Sequence, residues 1–339
     1  MKIVTFGEIM LRLAPEGYNR FFQNDILGAT FGGAEANVAV SLAEFGLDSS
    51  YVTKLPEGPI GDGARNSLRY FGVDTSKIVR GGSRLGIYFL EKGASQRPSL
   101  CIYDRAHSAI ADCSPDDFDW DDILADACWF HFTGITPALS DSVAETLERA
   151  LKTAKKLGIT VSCDLNYRSK LWSKAKASEV MTRLMEYVDV CISNEEDAND
   201  VFGIKAAGSD ATLGKIEQES YKDVAKQLCE RFGLKYAAIT LRTSKSANDN
   251  DWQGLLCDGE NFYMSKKYSI HIVDRVGGGD SFGAGLIYGI LSGKDPQHII
   301  EFAAAASCLK QTVEGDFNRI TTAEVEKLMK GDSTGRVKR

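Results

Sequence analysis

The stretch Val273-Asp274-Arg275-Val276-Gly277-Gly278-Gly279-Asp280-Ser281-Phe282-Gly283-Ala284-Gly285 decides how this chain is read. It follows an apolar run, Tyr268–Val273, and leads into a helix-like stretch that ends near Leu291. Three consecutive glycines let the backbone bend tightly and approach a ligand without side-chain interference. Their N–H groups, with the helix N-terminus, make a concavity suited to an anion. A carboxylate directly after it, Asp280, is unfavourable beside a phosphate unless it acts on something else. It can accept the proton of an attacking hydroxyl while the amides of Gly277, Gly278 and Gly279 hold the transferring phosphoryl group. The plainer alternative is a tight turn with Asp280 as a helix cap. A nucleotide P-loop is excluded, because no G-x-x-x-x-G-K-[ST] occurs. So is the dinucleotide G-x-G-x-x-G, because Phe282 stands where its last glycine would fall, which disfavours a nicotinamide-dependent oxidoreductase.

Upstream of this segment the pattern is regular. Cys128–Thr133, Ile159–Cys163, Val188–Ile192 and Tyr236–Leu241 read as buried strands. Between them fall helices over Ser142–Leu157, about 175–187, and Tyr221–Phe232, the first with Ser142-x-x-Glu145 as a capping box. Such alternation predicts an α/β domain with a parallel sheet covered on both faces, where ligands bind at the carboxyl ends of the strands. Two further β-like runs, Leu85–Glu91 and Ser99–Asp104, lie outside that rhythm and, with part of Leu11–Phe31, predict a small inserted sheet. Residues 203–220 and 243–252 read as polar surface excursions, and the polar tail 331–339 as frayed.

Bulk properties narrow the class. The chain has 339 residues, 43% hydrophobic and 26% charged, as an ordinary globular protein does. A net charge of −7 argues against a nucleic-acid binder. Eight cysteines without a C-x-x-C pair read as reduced thiols in a reducing, cytoplasmic compartment. Neither a signal peptide nor a membrane span is expected. The four histidines are scattered and form no metal-ligand pattern.

A second glycine turn, Gly32-Gly33-Ala34-Glu35-Ala36-Asn37-Val38-Ala39, also enters a helix. Asn37, one turn in, can donate and accept hydrogen bonds to vicinal hydroxyls; alone it would read as a solvated helix position. The two segments together, G-G-x-x-x-N and D-x-x-G-[AG]-G-D in this order, resemble the ribokinase-like (PfkB) carbohydrate kinases. The resemblance implies a three-layer αβα domain over residues 1–330, with a mostly parallel central sheet and a small β-sheet lid from about 11–33 and 84–108. It implies ATP and Mg²⁺, Asp280 as the base, and Gly277–Gly279 as the anion hole. Two departures stand out. The common Asp-Thr-x-Gly-Ala-Gly-Asp is here Asp274-Arg275-Val276-Gly277-Gly278-Gly279-Asp280, and the acidic N-x-x-E motif linked to magnesium is Asn194-Glu195-Glu196-Asp197. Asp197 is one methylene shorter, which leaves Glu195 and Glu196 as alternatives for an indirect, water-mediated role. A helix N-terminus favoured by the macrodipole also accounts for the run.

Within the family, Val273–Phe282 resembles the 2-keto-3-deoxygluconate kinases, as do Tyr103-Asp104-Arg105-Ala106-His107, Asp164-Leu165-Asn166-Tyr167-Arg168 and Gly315-Asp316-Phe317-Asn318. Arg105 or Arg168 could grip a carboxylate with a bidentate fork, and Tyr88 and Tyr103 could pack on a carbon chain and offer hydroxyls. The resemblance implies Gly33, Asn37, Tyr88, Tyr103, Arg105, Arg168 and Asp316 as sugar contacts, and Asn166 with Arg168 toward the nucleotide side. Where related kinases carry Thr-x-Gly-x-x-Gly this chain has Thr240-Leu241-Arg242-Thr243-Ser244-Lys245, so Arg242 or Ser244 stand in for the missing glycines. The expectation is phosphorylation of a six-carbon keto-deoxy sugar acid at O6, in a homo-oligomer paired through the lid. A kinase for a neutral sugar such as fructose or ribose, and a non-catalytic sugar sensor on the same fold, are the alternatives.

Overall fold

The computed structural model describes residues 2–205 and 218–331. Lys2–Phe6 (β1) opens the main sheet, and Met10–Ala14 (β2) with Gly28–Gly32 (β3) leave it. The chain continues through Ala34–Glu44 (α1), Asp48–Val52 (β4), Lys54–Leu55 (β5), Pro59–Tyr70 (α2), Val79–Arg80 (β6), Gly86–Glu91 (β7) and Leu100–Asp104 (β8). Trp120–Ile123 (α3), Ala127–Thr133 (β9), Asp141–Lys156 (α4), Thr160–Asp164 (β10), Lys174–Met185 (α5), Val190–Ser193 (β11), Glu195–Phe202 (α6) and Gln218–Phe232 (α7) follow. Tyr236–Ser244 (β12), Asp249–Cys257 (β13), Phe262–Met264 (β14), Tyr268–His271 (β15), Gly278–Leu291 (α8), Pro296–Lys310 (α9) and Thr322–Met329 (α10) complete it.

Nine described strands form the main sheet in the order β14-β13-β12-β11-β10-β9-β1-β4, with β15 also on β13. From β4 to β12 neighbours run parallel, and β13 to β15 join antiparallel. Consecutive strand residues point to opposite faces, so each strand feeds two cores. Val4, Phe130, Cys191 and Leu255 pack with α4, α5 and α7 on one face. Their neighbours Ile3, Trp129, Val190 and Leu256 pack with α1, α8 and α9 on the other. That double burial is why the strands read as continuous apolar runs. Each fully buried side chain of this kind, such as Phe282 or Phe302, contributes roughly 1.5–3 kcal/mol. The three-layer architecture expected from the alternation is the one present.

A separate four-stranded sheet, β3-β2-β7-β8, stands over the carboxyl ends of the parallel strands as a lid. Two local expectations need correction. Helix α4 is capped by Ser140, whose Oγ accepts from the Val143 N–H, and not by Ser142, whose hydroxyl donates to the Cys113 carbonyl. Residues 243–252 are not an excursion: β12 and β13 pair from Ala237↔Cys257 to Ser244↔Asn250, and Asn250, Asp251 and Trp252 are buried. Asp251 is satisfied by Lys245 of the turn and, across to the β15 segment, by Lys267 and Ser269. Of the predicted excursion at 203–220 and the tail at 331–339, residues 206–217 and 332–339 lie outside the described residues. All eight cysteines are free.

Candidate active site

Between the lid and the main domain opens a cavity of about 870 Å³. Helix α8 enters it from Gly277, which sits in the left-handed region at φ 82° and serves as N-cap without any side-chain hydrogen bond. A Cβ on Gly277 would fall 2.2 Å from the Asp316 carbonyl oxygen, so backbone conformation and close approach both demand glycine. At Gly279 a Cβ would meet nothing within 4 Å, because that side of the turn faces the cavity. The reading of Asp280 as a helix cap fails here. It is the third residue of α8, past the cap position, and its carboxylate accepts from Asn37 Nδ2 at 2.7 Å instead. The two residues are 243 positions apart, brought together because α1 and α8 pack side by side. Burial pushes Asp280 up to about 6, with the Asn37 hydrogen bond and the charges of Arg168 and Lys310 opposing and Asp316 adding to it. A carboxylate of that basicity is ionised at neutral pH and still able to take a proton.

Every sequence-derived candidate whose side chain is described lines this one cavity. At the lid end Tyr88 and Tyr103 are cross-strand partners with ring centroids 6.0 Å apart. The Tyr88 hydroxyl does not point free into the cavity; it donates to Asp316 at 2.6 Å. Tyr103 is half exposed, and the Arg105 guanidinium lies 5.3 Å above its ring. Arg105 Nε also donates to Glu8 Oε2 at 2.7 Å, which fixes the direction of its fork. Arg168 is exposed, with one bond to the Tyr167 carbonyl at 3.0 Å. Gly33 brings α1 against the β1–β2 turn so closely that a Cβ would lie 1.9 Å from the Glu8 carbonyl oxygen.

The other end is more polar. Asn166 holds a left-handed φ of 38°. Asn194 caps α6 by accepting from the Asp197 N–H at 2.7 Å, and Glu196 is exposed beside it; the Glu195 side chain lies outside the described residues. Burial pushes Asp197 up to about 7. Burial, with the negative charges of Asp197 and Asp280, holds Asp164 well above its ordinary range. Among the described residues no three acidic, His or Cys groups converge closely enough to hold a metal directly. Arg242 and Ser244 end β12 at the cavity. The β12–β13 turn needs no glycine there, since Ser246 Oγ accepts the Asn248 and Asp249 N–H groups. Arg275 lies near Arg242, whose like charge adds to burial in lowering it, and donates to Asn250 Oδ1 at 3.0 Å when that amide is turned toward it.

Sequence reasoning did not single out Glu8, Arg12, Asp164, Arg275 or Lys310 as site residues. Asp164 carried a signal, at the end of a core strand.

The chain is similar to proteins of known description. Its residues 1–323 match the profile described as pfkB family carbohydrate kinase. A crystal structure of 2-dehydro-3-deoxygluconokinase from Thermotoga maritima is 54% identical, covers 98% of this chain and 100% of its own, and superposes with a TM-score of 0.94. A 2-dehydro-3-deoxygalactonokinase from Haloferax volcanii is 34% identical over 98% of each chain. A 2-dehydro-3-deoxygluconokinase from Thermoproteus tenax is 27% identical over 97% of this chain and 94% of its own. With the profile matched across nearly its whole length, on a fold that places the glycine turn, Asp280 and Asn37 in one lidded cavity, this chain belongs to the pfkB family of carbohydrate kinases.

Proposed function

We propose that this protein transfers the γ-phosphoryl group of ATP to O6 of 2-keto-3-deoxygluconate (2-dehydro-3-deoxygluconate). The observation that carries the reading is Asp280. Its carboxylate, held by Asn37 and raised to about 6, stands at the start of α8 beside the glycine turn that lines the cavity. In that arrangement Asp280 takes the proton from O6 as the oxygen attacks in line. The N–H groups of Gly277 and Gly279 receive the charge developing on the phosphoryl oxygens; that of Gly278, expected to join them, instead donates to the Arg275 carbonyl at 3.2 Å and shapes the turn. Arg105 and Arg168 grip the substrate carboxylate at the far end, which presents O6 to Asp280. Gly33, Asn37, Tyr103 and Asp316 line the carbon chain. Tyr88 acts on it through Asp316.

Asn166, Arg242 and Ser244 are the proposed nucleotide contacts, with Arg275 added beside Arg242. Asp164 and Asp197, both raised by burial and Asp164 also by the charge of Asp197, suit a neighbouring divalent cation. With no direct ligand cluster among the described residues, Asn194, Glu196 and Asp197 would hold Mg²⁺ through water, where it would neutralise phosphate charge. The exposed Leu100 and Ile102 on the lid's edge strand β8 support pairing of two copies through the lid, which light scattering at graded concentrations would test.

The similarity to the galactonate kinase supports a second reading, in which the epimeric 2-keto-3-deoxygalactonate is the preferred acceptor. A coupled ADP-release assay with ATP and Mg²⁺ against both epimers separates the two, with fructose, ribose and gluconate alongside. Phosphorus–proton coupling in the product locates the phosphate. Preference for fructose or ribose would keep Asp280 and discard the arginine clamp; sugar binding without transfer would favour a sensor.

A further inference from the structure

Arg12 has so far had no role. It lies on β2, an inner strand of the lid, yet its side chain is 3% exposed and reaches into the main domain. Nη2 donates to Asp274 Oδ2 at 2.6 Å and Nη1 to Asp316 Oδ1 at 2.8 Å. The two carboxylates sit on separate segments. Asp274 opens the glycine turn, where its Oδ1 accepts the Val276 N–H at 3.1 Å and its Oδ2 the Gly315 N–H at 3.1 Å. Asp316 faces the sugar end, and Tyr88, register partner of Arg12 on β7, donates to it as well. Lys310 ties the same two segments from below, through the carbonyls of Val276 and Gly315.

Two cations and two anions balance in this network, but charge balance alone is a weak reason to bury four ions, since apolar groups would fill the volume at least as stably. A guanidinium does one thing an apolar group or an ammonium cannot: its planar fork donates along two fixed directions at once. Here those directions lead to the sugar-facing carboxylate and to the anchor of the anion hole. Resting on the kinase reading above, we infer that Arg12 is a positioning residue. It sets Asp316 and the glycine turn in one geometry, so that the seating of the lid over the sugar fixes the amides that receive the phosphoryl group. The proposal concerns the transfer step more than nucleotide affinity, because Arg12 does not line the cavity.

The test uses the whole enzyme with Arg12→Lys and Arg12→Met. Lysine keeps the charge and loses the fork. If Arg12 positions the turn, kcat at saturating substrates falls roughly 10²-fold in Arg12→Lys, as for a displacement of about 1 Å at the reacting centre. KM for ATP stays close to the native value, and Arg12→Met falls further than Arg12→Lys. Amide hydrogen exchange without any substrate should show lost protection at Val276, Gly278 and Gly315, whose N–H groups donate to Asp274 or to the Arg275 carbonyl, with β7 and β8 still protected. Should Arg12→Met fail to fold, Arg12→Lys carries both measurements. A melting temperature that drops while kcat per folded enzyme and exchange in the turn stay native would overturn the proposal and leave a purely structural clamp. If the native enzyme transfers phosphate to no sugar acid, the substrate reading fails by itself. The exchange pattern, which needs no substrate, then still decides for or against Arg12.

Discussion

Helices α1 and α8 begin alike. Each starts from a glycine N-cap with no side-chain cap, and each carries one acid in its first turn, Glu35 and Asp280. Burial raises both acids, Glu35 to about 7 and Asp280 to about 6. What differs is what surrounds them. The Glu35 carboxylate accepts from the Thr133 N–H at 2.9 Å, the Thr133 hydroxyl at 2.7 Å and the Thr136 hydroxyl at 2.6 Å. Gly7 leaves space for it, and a Cβ there would fall on the carboxylate. Among the described residues Asp280 has one side-chain hydrogen-bond partner, Asn37, and that partner comes from the other helix. The protein closes one junction with its own hydrogen bonds and leaves the other short of them, facing the cavity. Similar sequence signals thus serve architecture at α1 and chemistry at α8.

The largest test of this contrast is Asp280→Asn. Loss of the general base should lower kcat roughly 10²–10⁴-fold, while the melting temperature stays near native, since the amide keeps the shape and a partner for Asn37. Native kcat/KM should rise with pH through about 6, as the Asp280 carboxylate becomes the ionised form that accepts the proton. In the variant that rise should vanish. A kcat within tenfold of native would make the acid of α8 as structural as that of α1.

The glycines sharpen the contrast. In Gly279→Ala the new methyl group meets no protein atom and enters the phosphoryl space. Activity should fall roughly 10²–10³-fold, as when an oxyanion donor is lost, with stability unchanged. Gly33→Ala drives a methyl group to 1.9 Å from the Glu8 carbonyl oxygen, which backbone must move to relieve. It should cost about 1–3 kcal/mol of stability, measured by urea unfolding, with the smaller part of its effect on kcat. The reverse pattern would mean that the two turns have been assigned to the wrong roles.

How much of this was readable beforehand follows from the range of each interaction. The α8 turn was legible because glycines, acid and helix are contiguous, and Asn37 because it stands in a local pattern of its own. Arg12 was not, because its partners are 262 and 304 residues away and a lone charge in Met10-Leu11-Arg12-Leu13-Ala14 reads as the polar face of a strand. The β12–β13 hairpin was misread for a related reason: Asn248-Asp249-Asn250-Asp251 looks like a loop until Lys245, Lys267 and Ser269 are seen to satisfy Asp251 across strands. Lys310, at the end of an Ala-rich helix, reads as a solvated helix end, whereas its ammonium reaches carbonyls in two loops. Polar residues that work through tertiary partners carry no local signature.

The smallest effect is the most specific to α1. Glu35 has a folded pKa of about 7 against an ordinary 4.5. Between those values the native state binds more protons than the unfolded chain, so stability falls as pH rises through that window and levels off above about 7. The protonated acid is the form that burial favours. Glu35→Gln, which keeps an oxygen for the Thr133 and Thr136 donors and cannot ionise, removes this contribution. Its melting temperature relative to native should therefore climb from pH 5 to pH 8, whatever its offset at pH 5, while kcat changes little. A difference that stays flat across that range would mean that Glu35 is not neutralised by its burial, and the chemical distinction between the two helix starts would rest on Asp280 alone.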